Sequence, residues 1–315
     1  MGFETLLGND RLKDNLTSSL KKGRISHFYL ISGPQGSGKH TLARLLSAAI
    51  LCQDAHGPCV KCNICRKVME NNHPDVITVD DPEHKTVAVK LVRQAREDMY
   101  ILPNESDHKI YIFPQELGVE GQNALLKILE EPPKYGVFIL LSTNAEQLLP
   151  TVRSRCTELA LSALPEDVLT RQLSQDFPDA SPEALTAATV RSGGYLGQAR
   201  LLLEQGAALP PQTEQFLTAF AEKNALELTR LLASLEKSKR DQLIPLLESW
   251  TSLLEEALAC RSGMRALHPM TKVLAAQRSS QELIQAITQL QKTIAYAQSN
   301  VSPAAICGYL TWQLR

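Results

Sequence analysis

The chain has 315 residues, enough for two or three domains that each bury an apolar core. Its 34 acidic and 33 basic residues nearly cancel, which excludes tight nucleic-acid binding driven by bulk charge. The N-terminus has no basic segment followed by an apolar core, and no apolar run reaches the roughly 18 residues of a membrane span. We therefore expect a cytoplasmic protein without membrane contact, in which any DNA contact is local or shared with partners.

The first half of the chain alternates helix-like periodicity with short apolar runs. Such runs, separated by helix-length segments, are typical of strands in a parallel sheet that helices cover on both faces. The runs occupy residues 27–31, 76–79, 109–113 and 137–141. The sequence therefore predicts an α/β domain over residues 1–163.

A glycine-rich loop follows the first of these runs. Residues 33–39 read GPQGSGK, and a helix-like segment comes next. In this setting, backbone N–H groups around Gly33, Gly36 and Gly38 and the N-terminus of the helix form a nest for phosphate groups. Lys39 would then lie against the β and γ phosphates of a nucleotide.

The residue after Lys39 departs from this phosphate-loop motif. A Ser or Thr hydroxyl normally binds Mg²⁺ there, whereas this chain has His40, and imidazole is a poor ligand for so hard a cation. Thr41 lies one position late and would need a shifted helix start to replace it. The motif leaves two interpretations open: binding of ATP or ADP, or a vestigial loop kept for the fold.

The acid that a P-loop ATPase needs is missing. Such enzymes place an Asp, often followed by a Glu, at the end of the strand beside the loop to hold Mg²⁺ and polarise water. Here the run at 109–113 ends in Pro114 and Gln115, which can do neither. Glu116 comes one residue later, and a one-residue shift is expected to point its side chain elsewhere. We predict that the chain does not hydrolyse ATP at a useful rate.

Four of the seven cysteines form a cluster with the spacing C-x6-C-x2-C-x2-C, namely Cys52, Cys59, Cys62 and Cys65. Four thiolates at this spacing close a tetrahedral zinc site and leave no position for a catalytic water, so a structural zinc module is predicted at about 52–65. Free buried thiols and a redox pair are the alternatives. His56 and His73 are expected to be surface residues. The dispersed cysteines offer no disulfide framework and are Cys156, Cys260 and Cys307.

From residue 164 onward only helical patterns remain. They predict a small helical lid over 164–208 and a helical domain over 209–315, with a Leu-Pro-Pro linker at 209–211. Ser302 followed by Pro303 predicts the start of the last helix. Weak periodicity predicts a loop or an irregular helix connection at 261–280.

Three segments resemble the bacterial clamp loader family of AAA+ proteins. They read QNALLKILEEPP at 122–133, FILLST at 138–143 and LPTVRSRC at 149–156. The resemblance covers the first two predicted domains, and subunits of this family carry the same cysteine insertion. It implies that the C-terminal helices form the collar by which subunits assemble into a ring. A self-contained helical bundle is the alternative.

The resemblance also implies roles for individual residues. Arg155 matches the arginine of the Ser-Arg-Cys sequence, which in the family reaches into the ATP site of the adjacent subunit. A guanidinium there stabilises the charge that develops on the γ phosphate. Thr143 falls at the sensor 1 position and Gln198 at the sensor 2 position, where Arg200 could substitute only if its helix rotated. A surface ion pair is the alternative for Arg155.

Degenerate nucleotide motifs beside an intact Ser-Arg-Cys sequence resemble the delta prime branch of this family. That branch implies a non-hydrolysing stator in the DNA polymerase III holoenzyme, which donates Arg155 to a neighbouring ATPase subunit during DNA replication. The implied partners are the gamma or tau ATPase subunits and delta and, through the complex, the sliding clamp and primed DNA. Two alternatives remain: an active gamma/tau-like ATPase that uses Lys39, Thr41 and Glu116, and a zinc-dependent adaptor outside replication.

Overall fold

The computed structural model describes residues 2–54, 57–84, 86–204, 209–263, 268–299 and 301–314. The chain forms two compact units: the first comprises residues 1–178 and 189–201, and the second residues 179–188 and 202–315. The predicted lid boundary at 208 and His56 fall outside the described residues. Within the described part, no helix has the length and apolar character that crossing a bilayer requires.

A parallel five-stranded sheet with strand order β2-β3-β4-β1-β5 forms the centre of the first unit. Its strands are β1 (Phe28–Ser32), β2 (Val76–Thr78), β3 (Lys109–Phe113), β4 (Gly136–Ser142) and β5 (Thr157–Ala160). The four predicted runs match β1 to β4 to within one residue at each end. The sequence does not predict β5, because Leu159 is its only buried residue and the strand therefore lacks an apolar run.

Helices cover both faces of this sheet, as predicted. Side chains alternate along β1, so Ile31 packs with α2 residues on one face while Phe28 packs with α5 residues on the other. Phe28 stacks on Phe138 of β4 with ring centroids 4.7 Å apart. The helices are α1 (Asp10–Lys21), α2 (Lys39–Leu51), α3 (Asn63–Met69), α4 (Val89–Asp98), α5 (Val119–Glu130), α6 (Pro150–Arg153), α7 (Glu166–Asp176), α8 (Pro182–Arg191) and α9 (Leu196–Glu204), of which α8 and α9 extend into the second unit.

The described part of the second unit is helical. Its further helices are α10 (Pro211–Ala221), α11 (Ala225–Leu235), α12 (Arg240–Arg261), α13 (Pro269–Gln277), α14 (Ser280–Gln298) and α15 (Pro303–Gln313). Its core contains the fully buried Trp250, which stacks on Phe216 at 4.0 Å between centroids. Ser302 caps α15 as predicted. The prediction of a loop or irregular connection at 261–280 is wrong for α13, a regular helix that buries only Thr271 and Leu274 and therefore shows little periodicity.

Candidate phosphate and zinc sites

The phosphate loop, the end of β3 and the end of β4 meet at one edge of the sheet. Strands β1, β4 and β3 are parallel neighbours, so the loop after Ser32, Pro114 after β3 and Thr143 after β4 lie beyond the same carboxyl ends. In open α/β sheets, ligands bind in the crevice at this edge.

A cavity of about 680 Å³ opens at this edge within the first unit. Gly36, Gly38, Lys39, His40 and Thr41 line it, whereas Gly33 does not. The opposite wall comes from the N-terminal segment and from the start of α9, and it includes Glu4, Thr5, Leu6, Leu7, Asn9, Gly194, Tyr195, Leu196, Gly197 and Arg200. The structure therefore brings most of the predicted phosphate-loop residues to one concave surface, and it adds N-terminal residues that the motif alone does not reveal.

Lys39 is buried and its ammonium group bends back onto its own loop. Its Nζ donates hydrogen bonds to the backbone oxygens of Gly33 at 2.5 Å and Pro34 at 2.8 Å. Burial lowers the pKa of Lys39, and the negative charge of Glu116 opposes that shift. Lys39 therefore lies at the wall of the cavity, and its ammonium group is hydrogen-bonded to backbone oxygens of the phosphate loop.

The side chain of Glu116 is held at the end of β4. Its Oε1 accepts hydrogen bonds from Ser142 Oγ (3.0 Å), Thr143 N (2.7 Å) and Thr143 Oγ1 (3.0 Å). Its negative charge also acts to raise the pKa of Lys39. The expectation that a one-residue shift turns Glu116 away from the position of the catalytic acid stays a prediction. The turn after β3 directs Gln115 instead toward Asp81, whose backbone oxygen accepts from Gln115 Nε2 at 2.9 Å.

His40 stands where a hydroxyl ligand for Mg²⁺ is normally found. Partial desolvation, followed by the positive charges of Lys39 and Arg44, lowers the pKa of His40. The imidazole is therefore neutral at neutral pH. It contributes neither a hard oxygen ligand nor a positive charge for phosphate.

The first turn of α9 touches the phosphate loop directly. Gly197 N donates to Gly36 O at 2.9 Å. A Cβ on Gly36, where φ is 78°, would lie 2.4 Å from the backbone nitrogen of Gln198, so only glycine permits this approach. Arg200 lies three residues beyond Gly197 and lines the cavity, whereas Gln198 does not. Of the two residues considered for the sensor 2 position, Arg200 thus lines the cavity, and its guanidinium is paired with Asp176.

Arg155 lies near the amino ends of the parallel strands, whereas the chain's own phosphate loop lies at their carboxyl ends. It precedes β5, whose first residue Thr157 pairs with Tyr29 near the beginning of β1, whereas the loop follows the end of β1. The Arg155 side chain is 40% exposed, with Nη2 3.5 Å from Glu130 Oε1, and Nη1 donates to Thr151 O at 2.9 Å. Such an exposed contact is weak and leaves the guanidinium accessible.

The four clustered cysteines come together as predicted, with all four Sγ atoms within 4.8 Å of one another. The Sγ atoms of Cys59 and Cys65 are 3.9 Å apart, close to the separation expected for two thiolates on one zinc ion. Cys62 N donates to Cys59 Sγ at 3.3 Å, and Cys65 N donates to Cys62 Sγ at 3.4 Å. This donor set fits a tetrahedral zinc ion.

The backbone around the cluster favours a thiolate at Cys59. Backbone N–H groups of Lys61 and Cys62 lower the pKa of Cys59 to about 6, whereas burial raises the pKa of Cys65. Gly57 approaches so closely that a Cβ there would lie 2.9 Å from Cys52 Cβ. A bound cation would lower the pKa of all four thiols together.

His73 is not the surface residue that the sequence predicts, since only 4% of it is exposed. Its Nδ1 accepts a hydrogen bond from Asp75 N at 3.1 Å, and its Nε2 lies 3.4 Å from Ser106 Oγ. Both ring nitrogens of His73 thus have hydrogen-bonding partners, which explains how the imidazole can be buried.

The parallel sheet, the phosphate loop after β1 and the helical segment over that loop define a P-loop protein of the AAA+ class. A gamma subunit-related protein of DNA polymerase III from Thermotoga maritima has this fold, with a TM-score of 0.52 and 17% identity over 96% of this chain and 99% of that chain. Residues 8–165 match the family described as "DNA polymerase III, delta subunit". The chain belongs to this family.

Proteins similar to this chain include gamma and tau subunits of DNA polymerase III. The gamma subunit of Buchnera aphidicola subsp. Schizaphis graminum is 29% identical over 284 residues, which cover 84% of this chain and 76% of that protein. The tau subunit of Escherichia coli K12 is 31% identical over 214 residues, which cover 65% of this chain and 33% of that protein. The chain therefore spans only about a third of the length of that tau relative.

Proposed function

We propose that this chain is a clamp loader subunit of the delta prime type, which completes the ATP site of a neighbouring subunit with Arg155 and does not hydrolyse ATP itself. The placement of Arg155 is the main support. The guanidinium is accessible and lies before β5, while the chain's own phosphate loop follows β1.

Arg155 is too far from its own loop to act there. The loop begins at Gly33, four residues beyond the register position of Tyr29, and a strand rises about 3.3 Å per residue, which gives roughly 13 Å. The side chain therefore acts on a phosphate only in another subunit. A guanidinium in that position stabilises charge on the γ phosphate as it is transferred.

The chain's own site is proposed to bind ATP or ADP without turning it over. The cavity and the phosphate-loop residues that line it support binding. Pro114, Gln115 and His40 replace the groups that hold Mg²⁺ and activate water. Nucleotide would then act as a ligand that stabilises one arrangement of the loop and α9.

The cysteine cluster is proposed to hold a structural zinc ion. Four thiolates saturate the ion and leave no position for substrate, so its contribution is to stability. The ligands lie just after α2 and within the segment that contains α3, and a bound ion would tie these two helices together.

The proposed setting is the DNA polymerase III clamp loader. Gamma or tau ATPase subunits and delta would be direct partners, and the sliding clamp and primed DNA would be engaged through the complex. Membership of the family and the names of the relatives support a place in this assembly.

An active gamma/tau-like ATPase is the second candidate, and two observations favour it. The relatives are named gamma and tau subunits, and the charge of Glu116 reaches Lys39. In this interpretation, Glu116 and Thr143 would position water, and Thr41 would replace the missing Mg²⁺ ligand.

Steady-state ATP hydrolysis by a reconstituted loader separates the two candidates. The complex would contain cognate delta, the sliding clamp, primed DNA and ATPase subunits whose own Ser-Arg-Cys arginine is replaced by alanine. Arg155 then completes the remaining site. Arg155→Ala should lower turnover by about 10³-fold, the usual effect of removing an arginine finger.

Arg153→Ala is the matched control. Arg153 is 43% exposed and lies 3.2 Å from Glu158, so it resembles Arg155 in exposure and pairing. We expect this variant and Lys39→Ala to retain turnover and to assemble normally. If Lys39→Ala abolishes turnover while Arg155→Ala does not, the chain is a working ATPase and the stator proposal is wrong.

A further inference from the structure

We propose that the outer edge of β5 and the groove beside it bind an extended, acidic peptide of a partner protein, which adds to the sheet next to β5. β5 is the last strand in the order β2-β3-β4-β1-β5, so no strand of the described chain lies along its outer edge. This inference is independent of the nucleotide cavity and of the proposed role of Arg155.

The backbone of β5 has hydrogen-bonding groups that the sheet does not use. Leu161 N donates to Ser32 O at 2.8 Å, so the odd-numbered residues of this segment face β1. Glu158 and Ala160 therefore direct their N–H and C=O groups away from the sheet. Both residues are exposed, and the described residues offer these backbone groups no hydrogen-bonding partner. Such groups are what an extended peptide pairs with when it adds to a sheet.

Asn9 marks where the open part of this edge ends. Its Oδ1 accepts hydrogen bonds from Ser162 N and Ser162 Oγ, each at 2.9 Å. The Asn9 side chain thus takes the place that a carbonyl of a neighbouring strand would occupy beside Ser162. The chain therefore covers its own edge at Ser162 and leaves it open at Glu158 and Ala160, which suits a short segment of peptide.

A groove of about 850 Å³ beside the open edge gives the side chains of a peptide a surface to contact. β5 and α1 line it, together with the segment that leads into α7. Its apolar residues include Leu12, Ala160, Ala163, Pro165 and Val168. A strand added next to β5 would lie about 4.8 Å from it and direct every second side chain to the same face. Apolar side chains at such positions match this lining.

The charges of the groove favour an acidic partner. Arg11 lines the groove and is exposed, and the described residues provide it with no ion pair. The acidic residues of the lining are already paired. Asp10 lies 2.7 Å from Lys13, and Glu158 lies 3.2 Å from Arg153. A carboxylate on the peptide is therefore the partner that the Arg11 guanidinium lacks.

Fluorescence anisotropy of the full chain with labelled synthetic peptides tests the proposal. The probe has the sequence TVTDTVT and blocked ends, so its valines and its aspartate share one face of a strand. TVTKTVT, the matched peptide of opposite charge, should bind about tenfold more weakly. Methylation of alternate backbone N–H groups blocks one edge of a strand at a time. One of the two methylated forms of TVTDTVT should lose binding, and the other should retain it.

Two variants of the chain test the edge and the charge separately. Ala160→Pro removes the outward N–H group and keeps the bonds to β1, and it should weaken TVTDTVT binding about tenfold. Arg11→Glu should weaken it similarly and make TVTKTVT the preferred peptide. The control Arg93→Glu reverses an exposed charge on α4, outside the groove, and should change neither affinity. Thermal unfolding identifies any variant that fails to fold, and Arg11→Glu and the methylated peptides test the proposal without Ala160→Pro.

Amide hydrogen exchange reports on the edge itself. Bound TVTDTVT should slow exchange at Glu158 and Ala160 about tenfold, and it should leave Leu159, which faces β1, unchanged. No binding by the wild type, equal affinity for TVTKTVT, or binding without this protection would each overturn the proposal. Self-association of the wild type that Ala160→Pro abolishes would also overturn it, because the edge would then belong to a second copy of this chain.

Discussion

The cysteine cluster and the phosphate site differ in how far each is complete. All four thiols that a zinc site requires are present and converge to within 4.8 Å. The phosphate site keeps its loop and Lys39, but Pro114 and His40 replace two groups that hydrolysis requires. On the proposed functions, the cluster therefore retains every group that zinc binding needs, whereas the phosphate site retains groups for binding but lacks two that hydrolysis requires.

The two sites also differ in the span of chain that builds them. The cysteines lie within residues 52–65, so local turns bring them together. The phosphate cavity combines the loop after β1 with residues near the N-terminus and with α9. A change in the cysteine cluster should therefore act mainly on stability, and a change in the cavity mainly on nucleotide affinity.

Removing one ligand of the cluster should have the largest effect. Cys65 is fully buried, and Cys65→Ser should abolish zinc binding and lower the free energy of unfolding by about 5 kcal/mol, part of what a structural zinc site contributes. Elemental analysis and denaturant unfolding measure both quantities. The control Cys260→Ser lies outside the cluster and should change neither the zinc content nor the free energy of unfolding. Retention of zinc by Cys65→Ser would exclude the four-thiolate site.

A smaller effect is expected at the contact between the loop and α9. A Cβ on Gly197 would lie 2.8 Å from Gly36 Cα, and backbone atoms cannot yield as a flexible side chain can. Gly197→Ala should therefore weaken ATP binding about tenfold, or about 1.4 kcal/mol, while zinc content stays constant. In the control Gly118→Ala, the added Cβ meets nothing within 4 Å. Equal affinities for the two variants would mean that the contact is dispensable for binding.

The smallest effect is expected when the hydroxyl ligand is restored. His40→Thr places an oxygen where phosphate loops bind Mg²⁺, so Mg²⁺ should tighten ATP binding by roughly threefold more in the variant than in the wild type. Titrations with and without Mg²⁺ measure this difference. Hydrolysis should remain absent, because Pro114 and Gln115 are unchanged. Turnover by His40→Thr alone would identify Glu116 as the catalytic carboxylate and favour the second candidate.

Local patterns predict most of the sheet and the cysteine cluster. Strands β1 to β4 are buried apolar runs, whereas β5 and α13 bury too few side chains to produce a recognisable pattern. The sequence of α9 alone does not predict that Arg200 lines the cavity. That position depends on the contact between Gly36 and Gly197, which are far apart in the chain. The direction of the Glu116 side chain also could not be predicted from local sequence, because the turn after β3 sets it and the alternation of side chains along a strand does not.

The position of α2 has a consequence for how the protein is made. This helix begins at Lys39 and ends at Leu51, immediately before Cys52, so the phosphate loop and the cysteine cluster adjoin its two ends. All four clustered cysteines precede β3, which begins at Lys109, so they are synthesised before three of the five strands. If the cluster holds the proposed zinc ion, all of its ligands are available while most of the sheet is still untranslated. On that proposal, we expect zinc supply during translation to govern how much of this protein matures.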